Sequence, residues 1–280
     1  MRNFYFLISG FILSIANCYA VNLSYETCKE CTSCGTNCKY TLNDGKLTIY
    51  GPSTNAQNGT IKNDIFRGNT SFTNIEIKGN IETIGGGAFA GTKIEDITIP
   101  DSVKTIGDGA FSRSGLIKIS IPDSVTSVGS RAFYDMPNLE EVYVGNGSIG
   151  NDAFFSCDKL KKVVLSDKVT TVGDRAFVSP IETLVIGDQT TSGVQSFWYM
   201  SPNVKIYCSG EYEKCYEHLA STKYVTTNTQ KEYGMTYIYD ENGTLIAKYG
   251  KEHKPKRIYT VEEAAAVSKP MGNTFRLRYK

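Results

Sequence analysis

Eight cysteines and two histidines are the side chains of this 280-residue sequence best suited to covalent or metal chemistry. Four of them, Cys28, Cys31, Cys34 and Cys38, form a C-x2-C-x2-C-x3-C run, the spacing with which thiolates hold an iron–sulfur cluster. The run is half of such a site. Lys39 stands where proline usually follows, and no second run exists.

The compartment decides what these thiols do. Arg2 precedes an uncharged apolar stretch that finishes at Cys18 and Ala20, so residues 1–20 read as a signal peptide cleaved after Ala20. The stretch is too short for a good membrane span, and no transmembrane segment is expected after it. In an exported chain Cys28, Cys31, Cys34 and Cys38 are read first as disulfide formers among themselves, and Cys208 with Cys215 as a local pair. Zinc or an iron–sulfur cluster is the alternative for the first group, and the leading reading needs no cofactor. Cys157 falls where other copies of the repeat described below carry Ser114 and Met136, which predicts a buried structural thiol.

Catalysis finds no set of groups. His218 and His253 lie in polar segments away from any G-x-S-x-G nucleophile motif, so Ser-His or Cys-His hydrolysis is not expected. The neighbours Glu140 and Glu141 would point to opposite faces of a strand, the wrong geometry for a carboxylate pair. The chain reads as non-enzymatic.

The elements that place these residues are set by a repeat. Phe66, Phe89, Phe111, Phe133, Phe154, Phe177 and Phe197 are separated by 23, 22, 22, 21, 23 and 20 residues. A period of this size marks a stack of supersecondary units. A second register runs through FTNIEIK, IEDITIP, LIKISIP, LEEVYVG, LKKVVLS, IETLVIG and NVKIYCS, each alternating apolar and polar side chains as a short, half-buried strand does. The inward pairs are Ile75/Ile77, Ile97/Ile99, Ile119/Ile121, Val142/Val144, Val163/Leu165, Leu184/Ile186 and Ile206/Cys208, and stacking joins the strands into one parallel sheet. A coil of this length cannot hide its own Phe and Ile side chains, so each needs a neighbour above and below. Gly85, Gly107, Gly129, Gly150 and Gly173 are expected at corners with left-handed or crowded backbone.

The strings IPDSVKTIGDGAF and IPDSVTSVGSRAFYDMPNLEEVYVG resemble the BspA-type leucine-rich repeat, over residues 60–210. The resemblance implies a repeat solenoid, a leucine-rich-repeat-like stack of about seven coils with a parallel β-sheet, and adhesion or other binding at the cell surface. Hairpin caps are expected at both ends. Residues 21–59 read as a Cys-rich N-terminal cap with a hairpin turning at Asn43-Asp44-Gly45, and residues 211–250 as a C-terminal cap with a hairpin around Asn242-Gly243. Residues 251–280 read as a small β-rich appendage, a basic tail with a short helix and a strand.

Signal removal leaves 29 basic and 29 acidic side chains, with net +5 in residues 251–280 and net −5 in residues 21–250. The tail could meet anionic envelope polymers. Nucleic acid is not an expected partner, because the repeats interleave no basic and aromatic residues. If the strand register holds, Tyr143, Val164, Val185 and Tyr207 face outward in one row, beside a charged column of Lys118, Glu141, Lys162 and Lys205. These eight are the candidate contacts for a protein or glycan ligand. Two functional classes follow, surface adhesion or recognition, and a structural component of the cell envelope or extracellular matrix.

Overall fold

The structure is a computed structural model that describes residues 31–54, 56–187, 189–201, 204–209, 236–239 and 245–249. Residues 1–30, where the signal peptide is expected and Cys28 lies, are outside the described residues, as are Cys215, both histidines, and the helix and strand expected in residues 251–280.

The chain opens with β1 (Thr32–Gly35), β2 (Cys38–Asn43), β3 (Lys46–Tyr50), β4 (Gly59–Ile61), β5 (Asn74–Lys78) and β6 (Ile81–Ile84). The middle holds β7 (Thr105–Ile106), β8 (Lys118–Ile121), β9 (Ser127–Val128), β10 (Glu141–Val144), β11 (Gly147–Ile149) and β12 (Lys162–Leu165). β13 (Val169–Val172), β14 (Thr183–Gly187), β15 (Thr191–Ser192), β16 (Lys205–Ser209), β17 (Thr236–Tyr239) and β18 (Leu245–Tyr249) follow. No helix occurs among the described residues.

These strands build a parallel-sheet β-solenoid of about seven coils, as the repeat predicts. One face is the sheet β8-β10-β12-β14-β16, which the antiparallel pair β17-β18 extends at one end. A second seven-stranded sheet, β4-β6-β7-β9-β11-β13-β15, forms another face that the strand pattern did not announce. At the start, β2 and β3 make the expected hairpin, with Asp44 and Gly45 both at positive φ, and β3 pairs in parallel with β5.

The single continuous sheet over all seven predicted strands is not what forms. β5 belongs to the N-terminal four-stranded sheet, and residues 96–99 contribute one isolated bridge, Asn74 to Asp96, in place of a strand. Ile97 and Ile99 are still buried, so that coil is held by side-chain packing without a ladder.

The core runs the length of the stack. Phe66, Phe89, Phe111, Phe133, Phe154, Phe177 and Phe197 lie face to face at centroid separations of 4.8–5.4 Å. That is the rise of one parallel strand, ~4.8 Å, so one ring per coil fills the interior without a gap. Tyr40 of the first hairpin meets Phe66 edge-on at 5.0 Å and closes the ladder at its start.

Of the two roles expected of the corner glycines, left-handed or crowded backbone, they fill the second. Gly85, Gly107, Gly129, Gly150 and Gly173 are not left-handed. They are crowded: a Cβ on Gly107, Gly129, Gly150 or Gly173 would come within 2.6 Å of the coil before it. Positive φ falls two residues before each anchor, at Asp64, Gly87, Gly109, Arg131, Asp152, Arg175 and Gln195. The residue just before that corner often caps the next coil. Asp108 accepts from the Ser130 amide at 2.7 Å, Asn151 from Asp174 at 2.9 Å, and Asp174 from Val194 at 2.7 Å.

Candidate functional site

The strand register aligns the candidate residues as the alternation predicts. Glu141 is paired with Lys118 on one side and Lys162 on the other, Lys162 with Thr183, and Thr183 with Lys205. Tyr143, Val164, Val185 and Tyr207 pair in the same way two residues further along. Alternation puts both sets on the face opposite Val142, Val163, Leu184 and Ile206, which line the interior.

The charged column is accessible. Glu141 lies 3.5 Å from Lys118 and 3.8 Å from Lys162, and Lys205 is exposed further along. Lys118 is exposed and Glu141 and Lys162 are half-buried, and at these distances the pairs contribute little to stability, so their side chains can exchange partners at small cost.

The apolar row differs from expectation. Tyr143, Val164 and Val185 are each 3 % exposed and Tyr207 is 6 % exposed, and together they form an apolar cluster separate from the main core. They face outward from the solenoid without facing solvent. The hydroxyl of Tyr143 titrates well above its ordinary range because burial disfavours the phenolate, and the Asp123 and Asp167 carboxylates push in the same direction. The row is a second packed layer, so the surface of this face is carried by Lys118, Glu141, Lys162 and Lys205.

The cysteines divide by place. Cys34 and Cys38 are joined in a disulfide within the N-terminal cap, and Cys31 is also disulfide-bonded. Cys157 is a free, buried thiol with its Sγ 3.3 Å from the Phe133 carbonyl, as the repeat position predicts. Burial pushes its pKa up to about 12. Among the described residues no cluster of His, Cys, Asp or Glu is arranged to hold a metal ion.

The strand-based reading missed a second surface, on the corner side. The residue after the anchor is large and apolar in the last four coils, as Tyr134, Phe155, Val178 and Trp198, all half-buried, whereas the first three coils carry Arg67, Ala90 and Ser112 there. Tyr134 and Phe155 stack at 5.6 Å. The anchor spacing already contained this row, displaced by one residue.

Parallel coils of about 22 residues, an aromatic ladder and a glycine corner define a solenoid of the leucine-rich-repeat kind. The BspA type leucine rich repeat region matches residues 59–182 and 144–227 in six copies, and the chain belongs to that family. No curated protein matches it. Among solved structures it is similar to a leucine-rich repeat protein from Bacteroides ovatus at 17 % identity and TM-score 0.38, covering 64 % of this chain and 67 % of that one. A leucine-rich repeat protein from Eubacterium ventriosum is similar at 20 % identity and TM-score 0.33, covering 64 % and 72 %. A leucine rich cell surface protein from Faecalibacterium prausnitzii is similar at 15 % identity and TM-score 0.22, covering 65 % and 96 %.

Proposed function

We propose that this chain is a non-catalytic recognition protein of the cell surface, which binds a protein or glycan through the outer face of its solenoid. The observation that carries the reading is the in-register column Lys118, Glu141, Lys162, Thr183 and Lys205, which repeats polar groups at the coil spacing on a rigid sheet. Such a column suits an extended partner. Both histidines lie outside the coils that carry the Phe anchors, and Glu141 of the column is ion-paired to Lys118 and Lys162, so binding accounts for the face better than chemistry does. No helix among the described residues is long and apolar enough to cross a membrane.

The test is the mature protein on host-cell, matrix-protein and glycan arrays, with the double variant Lys118→Glu and Lys162→Glu beside it. Saturable binding that falls about tenfold or more in the variant at an unchanged melting temperature is the expected result, because both lysines lie on the outer face, away from the core. Self-association without any ligand would replace the reading with a structural role in the envelope or matrix.

A further inference from the structure

The corner side of the solenoid carries a cavity that the repeat itself does not require. Five of the seven left-handed corners are built from Asp64, Arg131, Asp152, Arg175 and Gln195, at φ of 52–56°. The other two are Gly87 and Gly109, at 61° and 62°. Since Arg and Asp hold the same conformation elsewhere in the stack, backbone geometry does not demand glycine at 109. A Cβ there would meet nothing within 4 Å. Gly87 is crowded by Asp64, whose Oδ1 a Cβ there would meet at 2.2 Å, so the open space lies at Gly109, beside a cavity of about 380 Å³ walled by Asp64 and Arg67 on one side and Asp108, Ser112 and Arg131 on the other. That volume is in the range of small-molecule sites.

The lining is polar and charge-balanced. Arg67 Nη1 donates to Asp64 Oδ1 at 2.8 Å, while Asp108 uses Oδ1 to cap Ser130. Arg131 is loosely tied: its Nε is 3.5 Å from Asp152, which is held more closely by Arg175 at 2.7 and 3.0 Å. Its guanidinium also stands 5.8 Å from the ring of Tyr134. The cavity continues into the half-buried row. Ala90 and Ser112 line it at the position after the anchor, and Tyr134, Phe155, Val178 and Trp198 occupy that position in the next four coils.

We propose that this ridge binds a neutral oligosaccharide, with one sugar seated among Asp64, Arg67, Asp108 and Arg131 and the following units lying along Tyr134, Phe155, Val178 and Trp198. Sugar hydroxyls both donate and accept, so they answer carboxylates and guanidinium groups together. An anion would be set against Asp64 and Asp108, and a cation against Arg67 and Arg131. The apolar C–H faces of the sugar rings match the rings of Tyr134, Phe155 and Trp198, with Val178 between the last two. An extended peptide is disfavoured because the backbone here is already bonded coil to coil, as in Gly87 N to Asp108 O at 2.9 Å and Phe111 N to Ala132 O at 2.7 Å, which leaves no strand edge to augment. The inference deepens the recognition reading and rests on it only in that the chain binds without transforming its ligand.

The test is saturation-transfer difference NMR on the full mature chain with cellotriose, maltotriose and tri-N-acetylchitotriose as neutral probes, trigalacturonate as the charged one, and each corresponding monosaccharide. At least one neutral trisaccharide is expected to bind saturably and about tenfold more tightly than its monosaccharide. Gly109→Arg should abolish the signal at an unchanged melting temperature, since Arg131 and Arg175 show the substitution fits that backbone. Asp108→Asn serves as a second variant. Asn63 and Asn151 already cap from the equivalent position, so it keeps the fold and should weaken binding. Silence from all three neutral probes, binding of trigalacturonate alone, or full binding in both variants overturns the proposal. The Lys118→Glu, Lys162→Glu protein separates it from the sheet reading: loss of saccharide binding there would move the site to the sheet and sink this inference while leaving recognition in place.

Discussion

At the scale of single residues, close approach governs what each position tolerates. The corner glycines stack on one another, and a methyl group on Gly129 would come within 2.5 Å of Asp108 Oδ1 and 2.6 Å of its amide nitrogen. Cys157 is governed by burial. A thiol raised to about 12 in the fold, against an ordinary value of ~8.5, stays protonated while the unfolded chain ionises. Its contribution to stability is therefore full below the ordinary thiol range and is lost as pH rises toward 12. Native protein at pH 8 should leave Cys157 unlabelled by a thiol reagent, and addition of denaturant should expose it. Rapid labelling of the native state would contradict its packing. The position was legible from the sequence, because Cys157 takes the place of Ser114 and Met136 in neighbouring copies.

At the scale of elements, the aromatic ladder and the short strands depend on their neighbours. Phe133 is fully buried between Phe111 and Phe154, at 5.2 and 4.9 Å. Its truncation to Ala should cost about 3–5 kcal/mol, measured by denaturant melting, and a cost below about 1 kcal/mol would show that the ladder is not load-sharing. The second sheet was harder to read. Its members β7, β9 and β15 are only two residues long, below the length at which alternation carries information. They exist because the coils above and below supply their hydrogen bonds, which is a property of the stack rather than of the segment.

At the scale of the whole molecule, facing away from the solenoid interior turned out not to mean reaching solvent. Tyr143 is 3 % exposed in a cluster of its own, so Tyr143→Ala should destabilise the fold by about 2–4 kcal/mol in a thermal or denaturant melt. An unchanged melting temperature would restore the row as a solvent-facing surface. The accessible chemistry is distributed over two other places, the charged column of the sheet and the cavity ridge at the corners. They lie on different faces, so variants on one can be judged against the other.

The 20–23-residue spacing of the anchors determined the solenoid, the parallel register and the row in which each outward residue stands, because every coil must repeat its neighbour's contacts to bury the same Phe. Tertiary structure alone decided which outward row is covered, where the sheet breaks at residues 96–99, and that Gly109 borders a cavity. Burial and void space are sums over coils brought together in space, and no single copy of the motif contains them.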